Sequence, residues 1–247
     1  MTRLDILIVN RKLTKSRNVA TDLIKKKLVK VNGTIITKTA KEFPDSADLI
    51  IEILEQPKFV GRGGLKLEKA LNEFKINPTN LTCLDVGSST GGFTDCLLQK
   101  GAKKVYAVDV GTNQLDSELK KDERIISMEQ TDIRDLKSLP EKIDLAVIDV
   151  SFISLELILP KVKDLLKKQG QIIALIKPQF ETKKEAKNKN GIIKTEEIRE
   201  KVLEKIKSFA RKNGLEIINI IESPILGGSG NKEYLMLLQK STLCDII

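Results

Sequence analysis

The segment that decides the fold of the larger part of the chain is Leu84-Asp85-Val86-Gly87-Ser88-Ser89-Thr90-Gly91-Gly92-Phe93. It joins an apolar strand to a turn whose glycines at 87, 91 and 92 permit tight bending and a close approach of the backbone to a ligand. The spacing is neither the GxGxxG of dinucleotide-binding enzymes nor the GxxxxGK of P-loops, and no Lys-Ser or Lys-Thr pair follows. The turn therefore predicts a ligand site at a strand end and argues against a triphosphate cradle.

Apolar strands alternate with amphipathic helices from this turn onward. Strands are predicted at residues 83–86, 105–108, 125–128, 145–150 and 172–176, helices at 93–99, 155–166 and 195–211, and two further strands at 215–221 and 233–238. Continuous apolar strands separated by helices are typical of a parallel sheet that is covered on both faces. The pattern predicts an α/β fold, a doubly wound Rossmann-like sheet of seven strands with an antiparallel hairpin at one edge.

Acidic residues follow two more of these strands, at the edge where ligands bind such sheets. Asp109 ends the second strand, where a carboxylate can accept both hydroxyls of a ribose, and Asp132 follows the third, where it can accept a bond from an exocyclic amine. A single Asp at a strand end is as often a helix cap as a ligand, but acids in this order after a glycine-rich turn describe an adenosyl ligand without a pyrophosphate. S-adenosylmethionine is therefore the predicted cofactor, and its predicted binding residues are Asp85, Gly87, Ser88, Ser89, Thr90, Gly91, Gly92, Phe93, Asp109 and Asp132.

Candidate catalytic residues follow the fourth and fifth strands, in Ile148-Asp149-Val150-Ser151-Phe152 and Ile176-Lys177-Pro178-Gln179-Phe180. Neither segment has the Asn/Asp-Pro-Pro-aromatic signature of amine methylation or a Cys nucleophile for pyrimidine C5. The remaining Asp149 and Lys177 suit a hydroxyl acceptor, since a ribose 2′-OH is a poor nucleophile until a base takes its proton. A lysine can take it only when neutral, which requires desolvation or neighbouring cations. The chain contains no His, so every mechanism with an imidazole base is excluded.

The net charge of +9 on the 247-residue chain comes from its first 41 residues. They contain 11 Lys and Arg against 2 Asp and Glu, whereas the rest of the chain has equal numbers of basic and acidic residues. A run such as Lys25-Lys26-Lys27 is often only a solvated helix face, but a segment of one charge sign, with few acids nearby to pair with, is typical of a phosphate-binding surface. The candidate phosphate-binding residues are Arg3, Arg11, Lys12, Lys15, Arg17, Lys25, Lys26 and Arg62.

Residues 1–56 are predicted to form a small α+β domain. Two short apolar helices, the second with Ser16 as a candidate N-cap, precede an Asn32-Gly33 tight turn between β-branched residues. Pro57 opens a linker over 57–60, and residues 61–247 form the second domain.

The first domain resembles the S4 RNA-binding domain in Arg3-Leu4-Asp5, Ser16-Arg17-Asn18-Val19-Ala20 and Val29-Lys30-Val31-Asn32-Gly33. The resemblance covers about residues 2–50 and implies that the basic residues above bind RNA. Folded RNA is favoured over single strands, because no aromatic residue precedes Phe43 to stack on an unpaired base.

The second domain resembles two related methyltransferase groups. DVGxxTGGF at 85–93 is similar to the first motif of the FtsJ-like RNA 2′-O-methyltransferases. With the S4-like domain included, nearly the whole chain resembles the TlyA family of ribosomal RNA methyltransferases, historically labelled haemolysins; the matching motifs are RGGLKL at 62–67, DVSFISL at 149–155, KPQFE at 177–181 and SPI at 223–225. The resemblance implies a class I methyltransferase fold and 2′-O-methylation of cytidine in 16S rRNA, 23S rRNA or both, within ribosomal subunits and without a metal.

The same resemblance implies a Lys-Asp-Lys-Glu tetrad at Lys66, Asp149, Lys177 and Glu233. Taken alone, Lys66 would be a surface lysine and Glu233 an edge-strand carboxylate. We infer that Lys177 is the general base, that Asp149 and Lys66 position it and tune its basicity, and that Glu233 orients Lys66 or the ribose. The methyl group would then pass in line from sulfur to oxygen, with proximity and orientation supplying most of the acceleration.

Two positions depart from the family pattern. Ser88 replaces a common Ala in a loop that contacts the cofactor through its backbone, and Lys194-Thr195 replaces Arg-Asp. The polar, Lys-rich residues 181–194 are predicted to form a mobile loop over the site, either in contact with RNA or only solvated.

The rest of the composition limits the alternatives. Cys83, Cys96 and Cys244 are odd in number and far apart, which argues against a disulfide framework, and the sequence has no cationic leader and no apolar run near the ~18 residues of a transmembrane helix. We therefore expect a cytoplasmic monomer without membrane insertion. The alternatives are a non-catalytic RNA-binding ribosome-assembly factor and a membrane-active haemolysin, whereas a pseudouridine synthase does not suit the adenosyl-binding order of the second domain.

Overall fold

Two structural units follow one another along the chain in the computed structural model, with their boundary between Arg62 and Gly63. The structure describes residues 1–14, 16–46 and 48–241. The candidate phosphate-binding residue Lys15 and the cysteine Cys244 lie outside these ranges. The domain ranges 1–56 and 61–247, with a linker at 57–60, stay predictions.

The first unit is an α+β arrangement around a small apolar core. Its helices are α1 (Leu4–Asn10) and α2 (Arg17–Lys25), and its strands are β1 (Thr2–Arg3), β2 (Val29–Val31), β3 (Thr34–Ile35), β4 (Glu42–Phe43) and β5 (Ile51–Ile53). β1 pairs antiparallel with β4, and β2 pairs antiparallel with both β3 and β5. The core consists of Leu4, Leu7, Ile8, Ala20, Leu23, Ile24, Val29, Val31, Ile36 and Leu49.

Two local signals in this unit are confirmed. Ser16 caps α2, because its Oγ accepts a hydrogen bond from the Val19 N–H at 3.3 Å. Asn32 and Gly33 adopt φ angles of +47° and +75° in the two-residue turn between β2 and β3. Positive φ at both central residues is what a tight hairpin turn requires, and Asn-Gly supplies it with little strain.

The second unit is built on a seven-stranded sheet. Its strands are β6 (Thr82–Val86), β7 (Lys104–Val108), β8 (Ile125–Met128), β9 (Ile143–Ile148), β10 (Leu166–Ile176), β11 (Leu215–Glu222) and β12 (Tyr234–Lys240), in the spatial order β11-β12-β10-β9-β6-β7-β8. Strands β6 to β10 pair in parallel, and β12 is antiparallel to both β10 and β11. The α/β sheet with antiparallel pairing at one edge is therefore confirmed.

In the part of the chain that the structure describes, five helices accompany this sheet, and the longest of them buries an apolar stripe. They are α3 (Gly63–Glu73), α4 (Gly92–Gln99), α5 (Leu159–Leu165), α6 (Pro178–Glu181) and α7 (Glu196–Lys212). In α7, for example, Val202, Ile206 and Ala210 recur every fourth residue and are buried. Within the described ranges, no helix is long and apolar enough to cross a membrane.

The helix predicted over 155–166 differs in the structure. It starts as a 3-10 turn at Leu155–Leu157, restarts as α5 with Pro160 in its first turn, and ends before Leu166, whose backbone is already extended in β10. β10 begins at Leu166 and is therefore longer than the apolar run 172–176 from which it was predicted. Its pairing with β9 is interrupted between Leu166 and Gln171. Leu165 and Leu166 are both buried, and an apolar pair fits a helix end and a strand start equally well.

Candidate active site

Strand ends meet at one edge of the sheet in the second unit. β6, β9 and β10 end at this edge, and the antiparallel β12 begins there, because Ile176 of β10 pairs with Tyr234 of β12. The residues that adjoin these strand ends are Gly87, Asp149, Lys177 and Glu233. Three of the four predicted tetrad residues therefore lie at the same edge, and the antiparallel register places Lys177 opposite Glu233.

Lys177 is held by two oxygen atoms that follow the neighbouring strand. Its Nζ lies 2.6 Å from Oδ1 of Asp149 and donates a hydrogen bond to Oγ of Ser151 at 2.8 Å. The Lys177 side chain is only 11% exposed, so the ammonium group faces the site and not bulk solvent. Asp149 and Ser151 thus fix where the nitrogen of Lys177 points.

Lys66 and Glu233 form a second ion pair. Nζ of Lys66 on α3 lies 2.6 Å from Oε2 of Glu233, and the side chains are 10% and 3% exposed. The same helix approaches Asp149, because a Cβ built on Gly63 would lie 3.6 Å from Oδ2 of Asp149. The tetrad therefore consists of two pairs of opposite charge, Lys177 with Asp149 and Lys66 with Glu233.

A cleft of about 390 Å³ opens at the carboxyl ends of β6 to β9. Among its lining residues are four of the predicted cofactor residues, Gly87, Ser89, Asp109 and Asp132, together with Asp149. Gly87 has φ +82°, and a Cβ there would lie 2.7 Å from the backbone oxygen of Asp149. Only glycine fits at this position, since the turn passes directly against the backbone of Asp149 and Val150.

The other predicted cofactor residues do not line this cleft; they are Asp85, Ser88, Thr90, Gly91, Gly92 and Phe93. Asp85 is fully buried beneath the turn, and its Oδ2 accepts a hydrogen bond from Oγ1 of Thr94 at 2.7 Å. Burial, together with the nearby carboxylates of Asp149 and Asp109, raises the pKa of Asp85 to about 7. Gly91 has φ +94° and packs so closely on Leu115 that a Cβ would approach its Cδ1 to 2.7 Å.

Asp109 and Asp132 are oriented by local donors. Asp109 accepts the N–H of Ser89 at 2.8 Å and the N–H of Gly111 at 2.7 Å, so it connects the glycine turn to the loop after β7. Asp132 forms an ion pair with Arg134 at 2.5 Å, and hydrogen bonds from that guanidinium lower the pKa of Asp132. Both carboxylates stay fixed in orientation, and each keeps lone pairs for a further donor.

Glu129, which the sequence did not single out, holds the segment that carries the cleft residue Gln114. It accepts the backbone N–H groups of Asn113, Gln114 and Leu115 at 2.6, 3.0 and 3.2 Å. Lys120 lies 2.9 Å away, and its hydrogen bond, with those of the backbone, lowers the pKa of Glu129 to about 2. Because Gln114 lines the cleft and Leu115 packs on Gly91, Glu129 holds the wall and the turn together.

Phe152 stands at the mouth of the cleft. Its side chain is 90% exposed, and its backbone has φ +64°, a conformation that costs a bulky residue energy. Its ring centroid lies 4.8 Å from that of Phe180, whose ring is 5.9 Å from Nζ of Lys177. In the sequence the two phenylalanines lie near the candidate catalytic residues Asp149 and Lys177, but only the fold shows that the two rings meet.

In the first unit, the expectation that the cations lack acidic neighbours is wrong for the arginines. Arg3 and Arg17 both pair with the buried Asp5, at 3.0 and 2.9 Å. Arg11 pairs with Asp45 at 2.8 Å, and Arg62 pairs with Asp22 at 3.1 Å. Folding brings these acids to the arginines although composition shows few of them in the segment.

The lysines of the first unit are placed differently. Lys12, Lys25 and Lys26 are exposed, and none forms an ion pair within the described part of the chain. The positive charge available to a partner is therefore concentrated on lysines.

Comparison with known proteins gives consistent matches over both units. Residues 59–240 match the FtsJ-like methyltransferase family, and residues 2–45 match the S4 domain. Hemolysin A of Brachyspira hyodysenteriae is 43% identical over 236 residues, which cover 94% of this chain and 98% of that protein. The 16S/23S rRNA (cytidine-2'-O)-methyltransferase TlyA of Mycobacterium tuberculosis is 36% identical over 242 residues, 97% of this chain and 90% of the relative. A solved structure from Streptococcus thermophilus that carries a hemolysin name superposes with a TM-score of 0.78 at 43% identity, over 97% of this chain and 88% of that one.

Proposed function

Because the chain belongs to the FtsJ-like methyltransferases and, with its S4 domain, to the TlyA family, we propose that it methylates the 2′-hydroxyl of cytidine in ribosomal RNA. The observation that carries the proposal is that the pairs Lys66–Glu233 and Lys177–Asp149 lie beside a cleft that Gly87 and Asp149 help to line. A base, oriented by acceptors and placed next to a cofactor cleft, is what a hydroxyl acceptor requires.

The cleft suits S-adenosylmethionine, which when bound supplies an activated methyl group on its sulfonium sulfur. A volume of about 390 Å³ lies within the range of small-molecule sites, and Val110 at its wall is apolar and largely exposed. Asp109 would accept the ribose hydroxyls, and Asp132 would accept the exocyclic amine. The bare Cα of Gly87 allows the turn to pack directly against the backbone of Asp149 at the wall of the cleft.

Lys177 is the proposed general base. It can act as a base only as a neutral amine, since an ammonium group has three N–H donors and no lone pair. Ser151 accepts a hydrogen bond from its Nζ and Asp149 lies within ion-pair distance of the same atom, so the two oxygens limit the directions in which the lone pair can point. When Lys177 takes the proton, the carboxylate of Asp149 at 2.6 Å stabilises the ammonium that forms.

Glu233 and Lys66 are proposed to position the acceptor ribose. Nζ of Lys66 donates a hydrogen bond to Oε2 of Glu233 and fixes the carboxylate. Oε1 lies against Gly227, where a Cβ would collide with it. A rigid carboxylate opposite Lys177 can accept a bond from a ribose hydroxyl and hold it in line for transfer.

The RNA substrate is proposed from both units. The S4 domain offers exposed lysines for the phosphates of folded RNA, and Phe152 offers an aromatic face to the base of the target nucleotide. We infer ribosomal subunits as the target because the relative from Mycobacterium tuberculosis is named for methylation of 16S and 23S rRNA. A ribosomal substrate implies action in the cytoplasm.

The experiment is methyl transfer from labelled S-adenosylmethionine to unmethylated 30S and 50S subunits, followed by mapping of 2′-O-methyl positions. Wild-type protein should label cytidine ribose, and Lys177→Ala should lose transfer by on the order of 10²- to 10⁴-fold while it still binds the cofactor. Full 2′-O-methylation by Lys177→Ala would reject Lys177 as the base. Absence of transfer by the wild type, with RNA binding intact, would favour a non-catalytic assembly factor, and liposome leakage without cofactor would favour a haemolysin.

A further inference from the structure

A basic segment flanks the tetrad without taking part in it. Residues 182–194 contain five lysines and one glutamate. Lys183, Lys184 and Lys189 are exposed, and none of the three forms an ion pair within residues 1–14, 16–46 and 48–241. An ordinary protein surface mixes positive and negative charges, so a segment with five lysines and one glutamate indicates an anionic partner.

This segment has a defined shape. Lys187 and Ile193 form an antiparallel bridge, and Asn188 Oδ1 accepts the N–H groups of Asn190 and Ile192 at 2.9 and 3.0 Å. Gly191 turns the chain with φ +76°. Residues 187–193 are therefore a tight hairpin, here called the lysine hairpin, and the 3-10 turn Lys184–Ala186 precedes it.

Buried contacts attach the lysine hairpin to the tetrad from two sides. Asn231, which is 1% exposed, accepts the N–H of Ile193 at 2.9 Å and donates to the carbonyl of Gly191 at 3.1 Å. It lies two residues before Glu233. On the other side, Nζ of Lys187 donates to the carbonyl of Gln179 at 2.6 Å, in the helical turn that follows Lys177. The hairpin is thereby fixed next to the facing positions of Lys177 and Glu233.

From this arrangement we propose that Lys183, Lys184 and Lys189 bind the phosphate backbone of the substrate RNA beside the target ribose. The proposal rests on the proposed 2′-hydroxyl acceptor: every ribose of an RNA chain is linked to phosphates, so phosphates must pass close to the tetrad during transfer. The cofactor cleft beside Asp149 is lined by the acids Asp109 and Asp132 and repels that backbone. The positive surface next to the tetrad consists of Lys189 in the lysine hairpin and of Lys183 and Lys184 just before it. Lysines bind phosphate as point charges without reading sequence.

The test compares Lys184→Gln/Lys189→Gln with the matched control Lys103→Gln/Lys212→Gln, both in the full chain. Lys103 and Lys212 are exposed in the same unit, but they precede β7 and β11 and so lie at the opposite edge of the sheet. Dissociation constants for unmethylated 30S and 50S subunits are measured across a series of KCl concentrations. The salt slope is the slope of the logarithm of the binding constant against the logarithm of the KCl concentration. Loss of two phosphate contacts should make it shallower by roughly 2 and weaken binding on the order of tenfold at about 0.1 M salt. The KM for subunits should rise, while kcat and the affinity for S-adenosylmethionine stay at their wild-type values.

The outcomes separate this proposal from the proposed function. Salt slopes equal to wild type in both variants, or equal losses in both, would overturn the RNA contact of these lysines, even if the wild type methylates rRNA. A selective loss in Lys184→Gln/Lys189→Gln supports it. If the wild type transfers no methyl group but shows that selective loss, the methyltransferase proposal fails and the RNA contact stands.

Discussion

Lys66 and Glu233 are 167 residues apart in sequence, yet Nζ of the one lies 2.6 Å from Oε2 of the other in a buried ion pair. The pair joins the first helix of the second unit to the start of β12. A buried charge that loses its partner is costly, whereas removal of both charges costs much less. The contribution of this pair to stability can therefore be separated from its contribution to the site.

Lys66→Met leaves Glu233 charged and buried, and it should lower the free energy of unfolding by about 3 kcal/mol or more. Lys66→Met/Glu233→Gln should recover much of that loss, because no unpaired charge remains. Both variants should lack methyl transfer, since Lys66→Met no longer holds the Glu233 carboxylate in place and the double variant has no carboxylate there. Urea unfolding at neutral pH and the transfer assay test the two statements. A Lys66→Met protein as stable as the wild type would contradict the structural role.

Phe152→Ala should raise the KM for ribosomal subunits, because stacking of a base on an aromatic side chain contributes about 1–3 kcal/mol. Phe152→Tyr keeps the aromatic face and should remain close to wild type. The matched control is Leu157→Ala, which removes another exposed apolar side chain a few residues further along. Steady-state kinetics with unmethylated subunits provide the measurement. An unchanged KM for Phe152→Ala would reject the contact with the base.

Glu129→Gln should weaken cofactor binding while RNA binding persists. The amide keeps one acceptor oxygen for the N–H groups at 113–115, but it loses the charge that pairs with Lys120, so the wall carrying Gln114 loosens. Calorimetric titration with S-adenosylmethionine should show on the order of tenfold weaker binding, as expected when charge-assisted hydrogen bonds are lost. Glu118→Gln, an exposed carboxylate beside Lys121, serves as control. Equal affinities in both variants would show that Glu129 does not position the wall.

Asp85 should make stability depend on pH. Its pKa is raised from 3.8 to about 7 in the folded protein, so the folded state keeps a proton that the unfolded chain has released. The stabilisation that protonated Asp85 contributes to the free energy of unfolding is fully present below about pH 4 and is lost as pH rises through 7. The free energy of unfolding falls by at most about 1.4 kcal/mol per pH unit in this range. Asp85→Asn cannot titrate and should show a flatter profile between these values. Urea midpoints across the range measure the difference, and parallel profiles would contradict it.

Lys12→Gln/Lys25→Gln/Lys26→Gln should reduce the salt slope of subunit binding by roughly 3, one unit for each phosphate contact. Arg11→Gln should act mainly through stability, because Arg11 already pairs with Asp45 and donates to the carbonyl groups of Ser46 and Leu49. Filter binding at several salt concentrations, with thermal unfolding of the same samples, distinguishes the two effects. A larger change of slope in Arg11→Gln would reverse this assignment.

The sheet and the edge that carries the site were predictable because their signals are local. Apolar strands, the turn at 84–93 and the residues after each strand are readable along the chain, and parallel strands bring their carboxyl ends together. Glu129 was not predictable, since its partners are backbone N–H groups, which leave no mark in the sequence. The arginine pairs were missed for a related reason: Asp45 lies 34 residues from Arg11, and composition cannot show that they meet.

Glu233 adjoins the start of β12, which follows all other strands of the sheet in chain order among the described residues. In the sheet β12 lies between β10 and β11, so β11 is joined to the parallel strands only through β12. The strand that brings Glu233 to Lys66 is thus also the strand that completes the sheet, and assembly of the Lys66–Glu233 pair is coupled to closure of that edge.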